Sequence, residues 1–157
     1  MKQKKNIGIV AHDNRKVDIL EWVEFNWQEL IQHNLICTGT TGRLVEEALA
    51  EKCLENNMVP PDILRLKSGP LGGDQQLGAM IAEGDVDILI FFWDPMQQQP
   101  HDVDVKALLR ITVLYNIPTA SNRSTADFIV SSSLFHASYH PILKDYENYI
   151  RRDISFD

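Results

Sequence analysis

Short runs of consecutive apolar residues, bounded by glycine and polar turns, alternate along this chain with longer segments whose apolar positions recur at helical spacing. That alternation is the mark of βα units wound about a parallel sheet. Five runs read as strands: Asn6–Ala11, residues 35–37, Ile63–Leu66, residues 86–92 and residues 117–120. Continuous hydrophobicity in the first, and still more in the fourth, is what burial on both faces of a sheet requires. Between the first two runs, Val17, Leu20, Trp27, Leu30 and Ile31 fall near the helical period, and Ile19, Trp22 and Val23 widen the stripe. The spacing predicts one long amphipathic helix there. A second helix is predicted around Leu44, Val45, Ala48 and Leu49, reaching towards Leu54, and a third around Leu77, Met80 and Ile81, ended by Gly84. Others are predicted over 104–115, 125–130 and 146–152. Residues 51–61 read as the least ordered connection, because Asn56-Asn57 and Pro60-Pro61 interrupt both regular structures. The expectation is an α/β fold, a single doubly wound domain over residues 1–157 with a five-stranded parallel sheet flanked by helices.

At 157 residues the chain has room for one core of ordinary size, and 44% hydrophobic with 24% charged residues is a globular composition rather than a disordered one. The excess of 22 acidic over 15 basic side chains gives a net charge of −7, which repels polyanions. No nucleic acid and no membrane are expected as partners. The basic residues at 2–5 lead into Ile7-Gly8-Ile9-Val10 rather than a signal-length apolar stretch, and the longest apolar run, 88–93, is too short to span a bilayer. Cytoplasmic residence follows as the expectation. Cys37 and Cys53 come without a CxxC or a histidine cluster, so both are expected to be small core residues.

In an open parallel sheet the binding crevice lies outside the carboxyl ends of the strands. Here those ends are polar. The first strand is followed by His12, Asp13 and Lys16; the second by Thr38-Gly39-Thr40-Thr41-Gly42; the third by Ser68-Gly69-Pro70-Leu71-Gly72-Gly73-Asp74; the fourth by Asp94-Pro95 and then His101 and Asp104. Small residues and hydroxyls at a strand-to-helix turn suit a phosphate cradle of backbone N–H groups, with Lys16 adding charge. Thr40 or Thr41 could equally be a plain helix cap. Glycines around Pro70 permit close backbone approach and leave Asp74 at the opening of a helix, where it could also serve only the helix dipole. His101 and Asp104 have the spacing of an imidazole tuned by a carboxylate, although Asp104 could be a helix cap and Asp94-Pro95 a strand-ending turn. His136 and His140 have helical spacing but no third ligand, which argues against a metal site. His33 reads as a polar helix end.

The ordered set Val10-Ala11-His12-Asp13, Thr38-Gly39-Thr40-Thr41-Gly42, Ser68-Gly69-Pro70-Leu71-Gly72-Gly73-Asp74, Phe92-Trp93-Asp94-Pro95 and His101-Asp102-Val103-Asp104-Val105-Lys106-Ala107-Leu108 resembles the methylglyoxal synthase family, and Ala126-Asp127-Phe128-Ile129 extends the likeness. The resemblance implies a flavodoxin-like version of the doubly wound fold. It implies elimination of phosphate from dihydroxyacetone phosphate to give methylglyoxal, without metal or organic cofactor. It implies Asp74 as catalytic acid/base, with His101 and Asp104 in the catalytic set. His12, Lys16, Thr38, Gly39, Thr40, Thr41, Ser68, Gly69 and His101 would bind substrate, and Asp13 and Asp94 would lie close by. It also implies a closed homo-oligomer, commonly a hexamer, restrained by inorganic phosphate. The connection over 51–67 looks longer than the family's, and Arg151 and Arg152 match the family's carboxyl-terminal arginine only approximately, so both arginines stay outside the expected site.

The residues fit that chemistry on their own terms. Enolising a ketone needs a base, a donor to the oxygen that becomes charged and a clamp on the phosphate, which Asp74, His101 and the threonine loop with Lys16 would supply. Aspartate is a weak base, so desolvation, or a neighbouring Asp94 or Asp104, would have to raise its basicity. Two other readings stand beside this one. A non-catalytic effector-binding module, like the regulatory domain of carbamoyl phosphate synthetase large subunits, would keep the cradle without needing Asp74, His101 and Asp104 together. A phosphorylated receiver domain would use Asp13 or Asp94 as acceptor but would want an acidic pair after the first strand.

Overall fold

The computed structural model describes residues 1–97 and 102–145. Strands β1 (Asn6–Ala11), β2 (Asn34–Thr38), β3 (Ile63–Leu66), β4 (Ile88–Phe92) and β5 (Thr119–Ala120) form one parallel sheet in the order β3-β2-β1-β4-β5. Five of the helices between and after them are α1 (Lys16–Phe25), α2 (Trp27–Leu30), α3 (Gly39–Glu55), α4 (Gly73–Glu83) and α5 (Asp102–Leu114), and α6 (Arg123–Val130) follows β5. The chain winds outwards from β1 to β3, then crosses back to β4 and winds the other way. Right-handed crossovers therefore put α1 and α3 on one face and α4 and α5 on the other.

Strand parity sorts the core accordingly. Ile7, Ile9 and Ala11 of β1, Leu35 and Cys37 of β2, and Ile88, Ile90 and Phe92 of β4 share one cluster with Ile19, Trp22 and Val23 of α1, Val45 and Leu49 of α3, and Ala126 and Val130 of α6. Val10, Ile36, Leu89 and Phe91 point the other way, onto Leu77 and Ile81 of α4 and Val105 and Leu108 of α5. The indole N–H of Trp22 donates to Asp127 Oδ1 at 2.9 Å, tying α6 to α1. Cys37 and Cys53 are both buried free thiols in this core, as expected, and burial pushes the Cys37 thiol up to about 12.

Several boundaries differ from the pattern's prediction. The single long helix is broken at Asn26 (φ −100°, ψ 17°), whose own side-chain amide donates to the Trp22 carbonyl at 2.9 Å. Asparagine competes for the backbone in this way, which ends α1 and lets α2 restart at an angle. Helix α3 runs on to Glu55, so residues 51–55 are helical rather than irregular, and the chain turns only at Asn57 with φ 54°. Helix α5 begins at Asp102, which places Asp104 inside its first turn rather than at the cap. Gly84 ends α4 in the left-handed region (φ 82°) as its position implied. His136 and His140 lie on no helix; His136 faces Glu29 at 3.6 Å. The helix expected over 146–152 lies outside the described residues. Among the described residues no helix is long and apolar enough to cross a membrane.

At the opposite edge from the strand ends that concern the site, Lys5 is 1% exposed, and its ammonium donates to the carbonyls of Lys2 and Ala137. Beside it, His33 accepts from the Lys5 amide at Nδ1 (3.2 Å) and stands edge-on to Phe135, with ring centroids 4.9 Å apart.

Candidate active site

Strand β1 ends at Ala11, and the chain then turns through His12 and a single 3-10 turn, Asp13–Arg15, into α1. The His12 amide still pairs with the Phe92 carbonyl of β4 at 3.2 Å, which fixes the backbone from which the imidazole projects. His12 is 6% exposed, and its ring meets Phe91 edge-on with centroids 5.2 Å apart. Its Nδ1 accepts a hydrogen bond from the Asp94 amide at 3.3 Å. A nitrogen that accepts from an amide carries no proton, so this contact selects the neutral imidazole with its hydrogen on Nε2. Lys16, in the first turn of α1, is paired with the exposed carboxylate of Asp13.

The second wall is the start of α3. Thr38 occupies its N-cap with extended dihedrals and makes no side-chain capping bond, and Thr41 spends its hydroxyl on the Ala11 carbonyl at 3.4 Å. Neither Thr40 nor Thr41 is the cap. The first-turn N–H groups of α3 thus point out of the helix beside threonine hydroxyls, an arrangement suited to an anion.

The third wall is the turn from β3 into α4. Ser68 is followed by the 3-10 turn Gly69–Leu71, and Gly72 at φ 96° swings the chain into α4. The Ser68 carbonyl accepts from Leu71 N (3.0 Å) and Gly73 N (2.9 Å). Gly73 passes so close beneath the Lys67 carbonyl that a Cβ there would sit 2.0 Å from its oxygen. Gly39, at φ 39°, lies against Ser68 so closely that a Cβ would be 2.7 Å from the Ser68 Cα. Both glycines are needed where they stand, Gly39 because two loops touch backbone to backbone and Gly73 because its own loop folds back on itself. The next residue, Asp74, is 3% exposed in the first turn of α4, whose N-cap, Gly72, carries no side chain.

The three walls enclose a cavity of about 250 Å³ lined by residues 10–13, Lys16, 38–41, 68–70, Asp74 and Phe91. That is small beside the several hundred Å³ typical of drug-sized ligands and suits a compact molecule with one charged end. Of the residues expected to bind or react, His12, Asp13, Lys16, Thr38, Gly39, Thr40, Thr41, Ser68, Gly69 and Asp74 all line this one space. Asp94 and Asp104 do not. Asp94 is buried just behind His12, its carboxyl held below the usual carboxylate range by the Met96 N–H and the Asn14 side chain, and Asp104 is half-buried on α5. Neither is placed among the cavity residues to raise the basicity of Asp74. His101 lies outside the described residues, as do Arg151 and Arg152.

Sequence reasoning gave no role to the apolar part of the wall, Val10, Ala11, Pro70 and Phe91, and did not single out Asn14, which bonds Asp94. Strand parity carries the signal for Phe91, which falls on the opposite face from Phe92. Nothing local signals Asn14. Among the described residues no group of three or more His, Cys, Asp or Glu side chains converges to hold a metal ion.

Comparison with known proteins places this geometry. The family model described as MGS-like domain matches residues 18–121. Methylglyoxal synthase of Maridesulfovibrio salexigens is 57% identical over 98% of this chain and all of that protein. The enzyme of the same name from Proteus mirabilis is 50% identical over 94% of this chain and 91% of its own length. The crystal structure of methylglyoxal synthase from Elizabethkingia anophelis superimposes with a TM-score of 0.87 at 48% identity, covering 99% of this chain and 95% of that one.

Proposed function

The chain belongs to the methylglyoxal synthase family, and from that premise we infer that it eliminates phosphate from dihydroxyacetone phosphate to give methylglyoxal and inorganic phosphate. It is a carbon–oxygen lyase. The observation that carries the reading is the shared cavity, which is lined by a buried carboxylate, Asp74, by a helix start without a side-chain cap and by Lys16.

In this reading the cradle of Thr38, Gly39, Thr40 and Thr41, with Lys16, Ser68 and Gly69, binds the phosphate dianion through N–H groups, hydroxyls and one ammonium. Asp74 takes a proton from the hydroxymethyl carbon, and the electron pair moves into the carbonyl to form an enediolate. His12, neutral with a proton on Nε2, binds the substrate as a donor, and His101 is assigned the oxygen that gains charge. Asp104, three residues further on, is assigned to tune His101, and Asp94 acts through His12. The enediolate then expels phosphate from the far carbon: the hydroxyl on the first carbon gives its proton to the departing phosphate and becomes the aldehyde, the double bond shifts to join the middle and far carbons, and the C–O bond breaks with its electron pair. The cradle holds that bond out of the enediolate plane, as expulsion requires. The enol of methylglyoxal is left to tautomerise.

The finer parts of the proposal rest on the same likeness. The whole chain, 1–157, is one such domain, resident in the cytoplasm and assembled as a closed homo-oligomer, a hexamer. It needs no cofactor, and released phosphate restrains it by returning to the cradle. Supplying methylglyoxal from a triose phosphate makes it a bypass around part of glycolysis. The test is the purified protein with dihydroxyacetone phosphate in chelator, scored for both products. Equal amounts of methylglyoxal and phosphate are expected, and the absence of either overturns the assignment.

A further inference from the structure

Four hydrogen bonds stitch the segment after β4 to the end of β1. The His12 amide donates to Phe92, the Asp94 amide donates to His12 Nδ1 at 3.3 Å, and the Asn14 side-chain amide donates both to Asp94 Oδ2 at 2.9 Å and to Gln97 Oε1 at 2.7 Å. The second carboxylate oxygen of Asp94 accepts from the Met96 amide at 3.0 Å, a turn closed by an aspartate on its own chain two residues ahead. An ionised carboxylate only accepts, so the orientation of the Asn14 amide is determined: its NH2 group, not its oxygen, faces Asp94.

We propose that Asn14 is a positioning residue: by donating at once to Asp94 and Gln97 it pins the segment after β4 across the end of β1, and so holds His12 as the tautomer with its proton on Nε2. The side chain of Asn14 is exposed and joins no apolar cluster, so its contacts serve the loop rather than the core. The arrangement also demands an amide. An aspartate of the same shape would set carboxylate against carboxylate at hydrogen-bond distance, and alanine would leave the Asp94 carboxylate without a side-chain donor, held by main-chain N–H groups of its own turn and the charge of Arg15. In either case the Asp94 amide is released from a single register and Nδ1 of His12 loses its fixed donor.

The kinetic consequence rests on the reading of the cavity as the lyase site, whereas the tautomer does not. The experiment therefore reads both. Two-bond proton–nitrogen correlation spectra of 15N-labelled protein at neutral pH report which nitrogen of His12 is protonated. The wild type should show the Nε2–H form alone, and Asn14→Ala and Asn14→Asp should show a mixture, with unchanged thermal midpoints. In the assay, kcat/KM for dihydroxyacetone phosphate should fall about tenfold in Asn14→Ala and further in Asn14→Asp, the usual range for loss of a group that orients a functional imidazole. A His12 tautomer and a kcat/KM that are the same in all three proteins would overturn the proposal. A wild type that makes no methylglyoxal would instead sink the lyase reading, and the spectra would still decide the role of Asn14.

Discussion

A carboxylate is a poor base for a carbon acid, and what distinguishes Asp74 is where it stands: 3% exposed, at the opening of α4, against a cavity that also holds Lys16 and the start of α3. Asp74→Asn keeps the shape and removes the proposed base. It should lower kcat by about 10²–10⁴-fold, the range for a general base, while a phosphate-bearing mimic of the enediolate still binds. Stopped assays and calorimetric titration of the mimic separate the two, and near-normal turnover would remove Asp74 from the mechanism. Lys16 is proposed to serve the other half of the reaction, the hold on phosphate. Lys16→Ala should raise KM for dihydroxyacetone phosphate by at least about tenfold, as expected for a charge-assisted contact to phosphate, with a smaller change in kcat. These residues were legible in the chain because each carries a charge on the turn or helix start that follows a strand. Asn14 was not, since its partners are about 80 residues away in sequence and nothing near it announces them.

The elements were legible where hydrophobic periodicity decides them. The apolar runs of β1 and β4 and the stripe on α1 are local signals, and the strands formed where those runs lie. Breaks and extensions were not, because they turn on single side chains: Asn26 reaches back to the Trp22 carbonyl and splits a helix that its apolar stripe would have continued. Likewise the chain does not show which threonine of Thr-Gly-Thr-Thr-Gly starts the helix: Thr38 takes the N-cap position, and the Thr41 hydroxyl lies on the Ala11 carbonyl of a different strand. The contact of α3 with the loop after β3 gives a prediction at this scale. Gly39→Ala would drive a methyl group into the Ser68 backbone from a left-handed conformation, so it should destabilise the fold by about 1–3 kcal/mol and raise KM as the loops separate. Denaturant unfolding together with steady-state kinetics checks both. A variant as stable and as tight as the wild type would show that the loops are not docked.

For the molecule as a whole, alternation of strand and helix implied a doubly wound sheet, but the order β3-β2-β1-β4-β5 is a matter of long-range pairing that no local pattern states. The same holds for the junction of residues 1–5 and 135–139 with the turn that leads into β2. There burial, and then the charge of Lys5, lower the pKa of His33 to about 4 from 6.5. The unfolded chain takes up a proton near 6.5 that the folded chain refuses until about 4, so this contribution to stability is complete above 6.5 and declines as the pH falls towards 4. The loss amounts to at most about 3 kcal/mol. Thermal midpoints measured across that interval should fall less steeply in His33→Gln, whose amide oxygen can still accept from the Lys5 amide; equal slopes would assign the decline to other groups.

The run of main-chain contacts from Gly39 through Ser68 to Gly73 sets the spacing between the start of α3, proposed to hold the leaving group, and Asp74, proposed to start the reaction. Such a jig works as a gauge of length. A phosphorylated ketone one carbon longer would seat its anion correctly and present the wrong hydrogen, so discrimination against it should show as slow turnover of a well-bound impostor rather than as failure to bind.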